Sequence, residues 1–437
     1  MSRTLLRGEL LTFNSNDVPD SETHACVQHL PDAVVVIDGD SIAAVETADA
    51  FARNGGDLAT CEQVGGLMLP GLIDAHIHYP QQDIIASYGT QLLDWLQRYA
   101  FPAEIAYASR EHAELKAEAY LDTLFAHGTT TSLTFTTVHT HSTDALFEAA
   151  SRRNVRLIAG KVLMNREAPS ELTDGHVCTS GDGIAESAEL IERWHGQGRL
   201  AYAVTPRFAI TCTDAQLKAA GELLGRDESI YLHSHISEHT DEVSYTLKLF
   251  PDATNYVDVY DSFGMVGARS VFAHGIHLSD RELARLADAG STIAFCPTSN
   301  LFLGSGLLDL ERLHAHGVSM GVATDVGGGT SFSMLRTLGE GYKVAQLTGQ
   351  SWHPLAALHT ATTGNAHALH LGDRIGRIAP GFEADLTVLQ PQPNSLVGKR
   401  AEEATSLTER LLAVCLMEED LIERTIVAGA TVFQRAA

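Results

Sequence analysis

Leu67-Met-Leu-Pro-Gly-Leu-Ile-Asp-Ala-His-Ile-His78 is an apolar run closed by a His-x-His pair. Alternate side chains of a strand point to the same face, so His76 and His78 share one side of it. If that side is the inside of a barrel, two imidazoles stand at the strand's end within reach of a single Zn²⁺. Taken alone, the motif fits two surface histidines on an edge strand equally well. The decision therefore rests on what the rest of the chain supplies.

At 437 residues the chain exceeds the usual limit of one core but suits an α/β barrel with a small appended domain. Its net charge of -25, from 30 basic and 55 acidic residues, opposes a polyanion, so no nucleic acid partner is expected. No apolar run reaches the length of a membrane span, and the start lacks a signal-peptide core. The expectation is a cytoplasmic protein with no membrane partner. Cys26, Cys61, Cys178, Cys212, Cys296 and Cys415 are scattered without a Cys-x-x-Cys, which speaks against a disulfide framework or a thiolate zinc site. Each is expected as a small buried hydrophobe.

Residues 3–13, 31–37 and 41–47 read as short strands, with Val34-Val-Val-Ile-Asp-Gly-Asp-Ser-Ile-Ala43 as a hairpin. After Gly65-Gly66 apolar strands alternate with helical stretches, the mark of a parallel α/β sheet. Strand one ends at His78, and a loop of about twenty-five residues to Glu104 follows, long enough to act as a lid. Further strands are expected at Thr129–Phe135, Val155–Leu163, Leu200–Pro206, Ile230–His235, Val271–His274, Thr292–Cys296 and Val318–Asp325. Helices are expected near 105–126, 141–153, 183–195 and 401–417, and Ser279-Asp-Arg-Glu282 begins another that Gly290 closes. After residue 371 short strands return. The expected architecture is a (β/α)₈ TIM barrel over 71–374, with a small β-sandwich domain built by both termini, 1–70 and 375–437.

Active sites of such barrels lie at the C-terminal strand ends. His76, His78, His235, His274 and Asp325 all fall there, a set that suits one hydrolytic zinc ion, although iron is not separated from zinc by these donors. His233 shares the face of His235 but lies a layer deeper. His235 is preferred because Glu238, three residues on, places a carboxylate above the metal. His139 and His141 follow strand two in a Thr-rich loop, where capping or solvent exposure is the expected role. His112-Ala-Glu114 lacks the Pro-Cys-x-x-Cys of a zinc nucleoside deaminase and is set aside.

Pro70-Gly-Leu-Ile-Asp-Ala-His-Ile-His78, with His235, His274 and Asp325, resembles the amidohydrolase superfamily over nearly the whole chain. Leu93-Asp-Trp-Leu96, Phe101-Pro-Ala-Glu104, Thr205-Pro-Arg-Phe208, Ser234-His-Ile-Ser-Glu238, Cys296-Pro-Thr-Ser-Asn300 and Gly321-Val-Ala-Thr-Asp-Val-Gly-Gly328 together resemble its guanine deaminase branch.

The resemblance implies hydrolysis of guanine to xanthine and ammonia in a homodimer with one zinc per subunit. Binuclear relatives carry a carboxylated Lys at the end of strand four, where this chain has Thr205-Pro-Arg-Phe208, and Lys161 lies on strand three, so one metal is expected. A zinc-activated hydroxide would attack C2, with Glu238 and Asp325 as catalytic proton shuttles. Gln81, Trp95, Arg207, Phe208, His235 and His274 are the implied substrate contacts, with His277, Ser299 and Asn300 as lesser candidates. The alternatives are a related heterocycle deaminase, acting on 8-oxoguanine, a pterin or a triazine, and a non-catalytic assembly protein of the same fold.

Overall fold

The computed structural model describes residues 3–89, 91–177, 182–417 and 420–436. In chain order β1 (Arg3–Phe13), β2 (Val27–Asp38), β3 (Ser41–Thr47) and β4 (Glu62–Pro70) come first. There follow β5 (Leu72–His78), β6 (Thr129–Phe135), β7 (Arg156–Gly160), β8 (Val162–Leu163), β9 (Leu200–Pro206), β10 (Tyr231–Ile236), β11 (Ser270–His274), β12 (Thr292–Phe295) and β13 (Ser319–Val322). The chain finishes with β14 (Leu386–Leu389), β15 (Ile422–Val427) and β16 (Ala430–Gln434).

The opening stretch serves two sheets. Leu67 to Pro70 pairs antiparallel with β14 inside a seven-stranded sheet of order β16-β15-β14-β4-β1-β2-β3. One residue later, Leu72 to His78 is the first barrel strand, parallel to β6. Gly71 makes the junction, where any side chain would run into Thr130. The seven-stranded sheet curls around Leu6, Leu10, Val35, Met68, Leu386 and Ile426, so that the turns at Gly39 and Gly429 touch.

The expected (β/α)₈ barrel is the observed fold: parallel strands run in the order β5-β6-β7-β9-β10-β11-β12-β13, and β8 pairs with β9 alone. Ile73, Leu133, Ile158, Ala203, Tyr231, Val271, Ala294 and Ala323, drawn from every principal strand or its end, form one buried cluster. The barrel interior is therefore packed, as in other (β/α)₈ folds. Closure between β13 and β5 uses a side chain in place of a ladder. Asn365 donates to the carbonyls of Ile73 (2.6 Å) and Val322 (2.8 Å) and accepts the Val322 N–H at 2.9 Å.

Four details differ from the sequence reading. The third strand breaks after Gly160 into β7 and β8. The last barrel strand stops at Val322, and Asp325 lies beyond it with φ at 51°, its N–H bonded to His76 O at 3.0 Å. The stretch after His78 is no open loop: it coils into short helical turns at Tyr79–Ile84, Leu92–Trp95, Leu96–Ala100 and Phe101–Ile105. Leu92, Trp95 and Phe101 are buried there against Phe135, Val162 and Phe208, because an apolar segment this long gains more by packing than by solvation. The helix expected near 401–417 is two helices, Leu396–Glu402 and Leu407–Met417. Asp280–Ala289 is capped as expected, by a Ser279/Glu282 box and a left-handed Gly290.

Among the described residues no helix is long and apolar enough to cross a membrane. Five cysteines are buried, and Cys178 lies outside the described residues.

Candidate metal centre and substrate cleft

Strand alternation carries His76 and His78 inward from β5, and β10 carries His235 across to meet them. His78 Nε2 lies 3.2 Å from both His76 Nε2 and His235 Nε2, and Asp325 Oδ1 is 3.0 Å from His76 Nε2 and 3.3 Å from His78 Nε2. These four donor atoms lie within 4.8 Å of one another. His274 stands beside them, its Nε2 3.3 Å from Glu238 Oε2 and 3.8 Å from Asp325 Oδ2. The structure thus gathers four of the five expected donors into one group and sets the fifth against Glu238.

The remaining ring nitrogens explain why lone pairs converge. His235 Nδ1 donates to Arg207 O at 2.6 Å, and His274 Nδ1 donates to Asn300 Oδ1 at 2.9 Å, which leaves each Nε2 as an acceptor. His76 Nδ1 meets His233 Nε2 at 2.7 Å, one layer deeper. Burial first, then mutual proximity, holds His235 well below the usual imidazole range, and burial lowers His78 to about 3. Asp325 is held well below the carboxylate range: burial opposes ionisation, but hydrogen bonding to His76 and His78 outweighs it. Three imidazole nitrogens and one carboxylate oxygen gathered at one point are the donor set of a borderline cation. The residues therefore fit a divalent metal. Cys296 is near His274 and Asp325, but burial pushes its thiol up and Sγ points to Ala294 O, so it is a weak donor here.

Ser237, His274 and Asp325 all have left-handed backbones, with φ of 49°, 73° and 51°. Such conformations cost roughly 1–3 kcal/mol each and gather at functional sites. Ser237 turns the chain so that Glu238 faces the cleft. There Ser305 Oγ donates to Glu238 Oε1 at 3.0 Å, and Glu242 Oε2 accepts the Glu238 N–H at 2.7 Å. Burial, then the charge of Asp325, raises Glu238 to about 8.

The cleft is lined by Gln81, Trp95, Arg207, Phe208, His235, Glu238, His274 and Asp325, among others. All the expected substrate contacts thus reach one space. Trp95 Nε1 donates to Ser87 O at 3.2 Å, which fixes the ring in its wall. His277 Nε2 donates to Ser305 O at 2.9 Å, so the ring supports the Ser305 turn and does not line the cleft.

His139 and His141 lie outside this group. His139 is buried, not exposed, and its side chain meets Thr137 instead of capping the helix Thr140–Arg152 that it precedes. Lys161 Nζ is buried, 2.6 Å from Asp174 Oδ1 and 3.8 Å from Glu186 Oε2, and is not part of the His/Asp group.

Sequence reasoning missed Glu104, Ser305, Glu242 and Asn365 as parts of the site or its frame. Glu104 sits inside a quoted motif, and a carboxylate in an otherwise apolar turn was its signal. Ser305 carries none, because its partner Glu238 is 67 residues away in the chain.

The amidohydrolase family model matches residues 67–432. Guanine deaminase of Escherichia coli K12 is 45% identical over 372 residues, 85% of this chain and 84% of that protein. The solved E. coli guanine deaminase has a TM-score of 0.94 at 40% identity, covering 99% of this chain and 100% of that one. The crystal structure of guanine deaminase from Bradyrhizobium japonicum gives 0.93 at 33% identity, covering both chains fully at 100%. With its barrel, its His/Asp group and a matching model over most of its length, the chain belongs to the amidohydrolase family.

Proposed function

We propose that this chain hydrolyses guanine to xanthine and ammonia, a step of purine breakdown, with one zinc ion in the His76, His78, His235 and Asp325 group. The observation that carries the reading is the convergence of those four donor atoms beside Glu238, at the floor of a cleft walled by Gln81 and Arg207. The guanine deaminases to which the chain is similar support the choice of substrate.

When bound, the ion supplies a Lewis acid that makes water nucleophilic near neutral pH. The chain's own groups do the rest. Asp325 accepts the proton released as water adds to C2 of the purine. Glu238 protonates the adjacent ring nitrogen N3, Asp325 passes the water proton to the departing amino group, which leaves as ammonia, and Glu238 recovers its proton from the C2 hydroxyl as the carbonyl forms. The proton is needed because an amide anion is a very poor leaving group. Gln81 and Arg207 hold the purine by its polar edge, Phe208 and Trp95 cover its face, and His274 lies against Glu238 to orient it.

The test is ammonia release from guanine by the purified, metal-analysed protein, run beside 8-oxoguanine, a pterin and melamine. Guanine should turn over fastest, with activity lost on chelation and restored by zinc. Bound metal with guanine inert would overturn the substrate assignment.

A further inference from the structure

Glu104 is fully enclosed, yet it belongs neither to the metal-ligand group nor to the cleft lining. Its oxygens take Arg207 Nη1 at 2.8 and 2.7 Å, and Oε1 also takes Gln81 Nε2 at 2.8 Å. Arg207 comes from the end of β9 and Gln81 from the turn after β5, and both reach the cleft. One buried carboxylate thus joins two walls.

Its chemistry limits what those walls present. Gln81 Oε1 accepts the Gly327 N–H at 3.2 Å, so the amide is held at both ends. Reversing it would set its oxygen against the carboxylate and its NH₂ against an N–H. The second Gln81 N–H faces His78 Nδ1 at 3.5 Å, the outer limit of a hydrogen bond, so it is the hydrogen that a ligand can take over. Among the described residues Arg207 Nε and Nη2 have no hydrogen-bond partner, so the guanidinium adds further donors. The wall offers donors only.

We propose that Glu104 is the specificity-determining positioning residue of this cleft: by fixing Gln81 and Arg207 as donors, it selects a purine with acceptors at O6 and N7 over one with a 6-amino group. The inference rests on the guanine reading above and deepens it. A 6-amino group would set donor against donor and leave buried N–H groups unpaired, which rejects a ligand more strongly than a missing methylene does.

Guanine and 2,6-diaminopurine test it, because they share the C2 amino group and N7 and differ at C6 and in the proton on N1. kcat/KM is measured for each, with Ki for 2,6-diaminopurine where its turnover is too slow. Glu104→Gln places an NH₂ where an acceptor stood. It should narrow the preference for guanine by roughly tenfold or more, mainly through KM for guanine, with metal content unchanged. Gln81→Leu keeps the Glu104–Arg207 pair and should shift the ratio in the same direction, and the double variant should exceed neither single by much. If Glu104→Gln does not fold, Gln81→Leu decides alone. An unchanged ratio in every folded variant overturns the inference, as does a fall in kcat that is equal for both purines. Wild-type protein that releases no ammonia from guanine instead overturns the function on which the inference rests.

Discussion

Asp325 touches His76 twice: its backbone N–H donates to His76 O and its Oδ1 lies against His76 Nε2, both at 3.0 Å. The first contact helps to close the barrel and the second builds the metal group. Separating them is possible because only the second needs the charge. Asp325→Asn should keep its far-ultraviolet circular dichroism while bound metal falls at least tenfold and ammonia release falls more than about 10²-fold. Full metal occupancy in that variant would remove Asp325 from the ligand set.

Glu238 faces the cleft without entering the four-atom group. Glu238→Gln should therefore retain about one metal per chain and lose about 10²- to 10⁴-fold in kcat, the usual worth of general acid–base help. Steady-state kinetics with parallel elemental analysis separates the two effects.

Ser305 holds Glu238 Oε1 and nothing else in the cleft depends on it directly. Ser305→Ala should lower kcat by about tenfold, the loss expected of one hydrogen bond to a carboxyl group, and leave KM within about twofold. A variant as dead as Glu238→Gln would mean that the whole turn has moved.

Asn365 supplies three hydrogen bonds where β13 and β5 have no ladder of their own. Asn365→Leu leaves two buried carbonyls and one N–H unpaired and should cost about 3 kcal/mol or more. The midpoint in urea is the measure, and a shift within error would show that closure depends on the upper contacts at His76 and His78 alone.

Glu9 couples β1 to the helix Leu407–Met417 through Arg410 and to β2 through His29. Burial works to raise its pKa, but the hydrogen bonds from His29 and Arg410 outweigh it and bring the carboxyl down to about 2. A folded pKa below the unfolded value, about 4.5, contributes stability that is complete above the unfolded pKa and is lost as pH falls toward 2. Wild type should exceed Glu9→Gln by about 1–2 kcal/mol near pH 7, after screening at this partly exposed site. The difference should hold from pH 8 to about 5.5 and shrink below about 4.5.

Much of the barrel was legible because its evidence is local. Thr129–Phe135 and Leu200–Pro206 appear with the expected bounds, since a buried parallel strand is a short apolar run between breakers. The capped helix Asp280–Ala289 was legible for the same reason, its signals lying within four residues of each end. The segment 79–105 was misjudged because its apolar residues pack against Phe135 and Phe208, and no local period announces that.

The histidines and Asp325 were legible as one cluster because strand ends of a barrel converge whatever the loops do. How they are used was not. The sequence could not show that Asp325 sits past its strand and pairs backbone to backbone with His76, or that Asn365 replaces a ladder. It could not show Glu104 gripping Arg207 across 103 residues and Gln81 across 23. Periodicity and motif spacing are properties of neighbours in the chain, and they determined the kind of fold and the chemistry available. Hydrogen-bond partners are properties of neighbours in space, and only the closed barrel decided which carboxylate joins the histidine group, which faces the cleft and which holds Gln81 and Arg207.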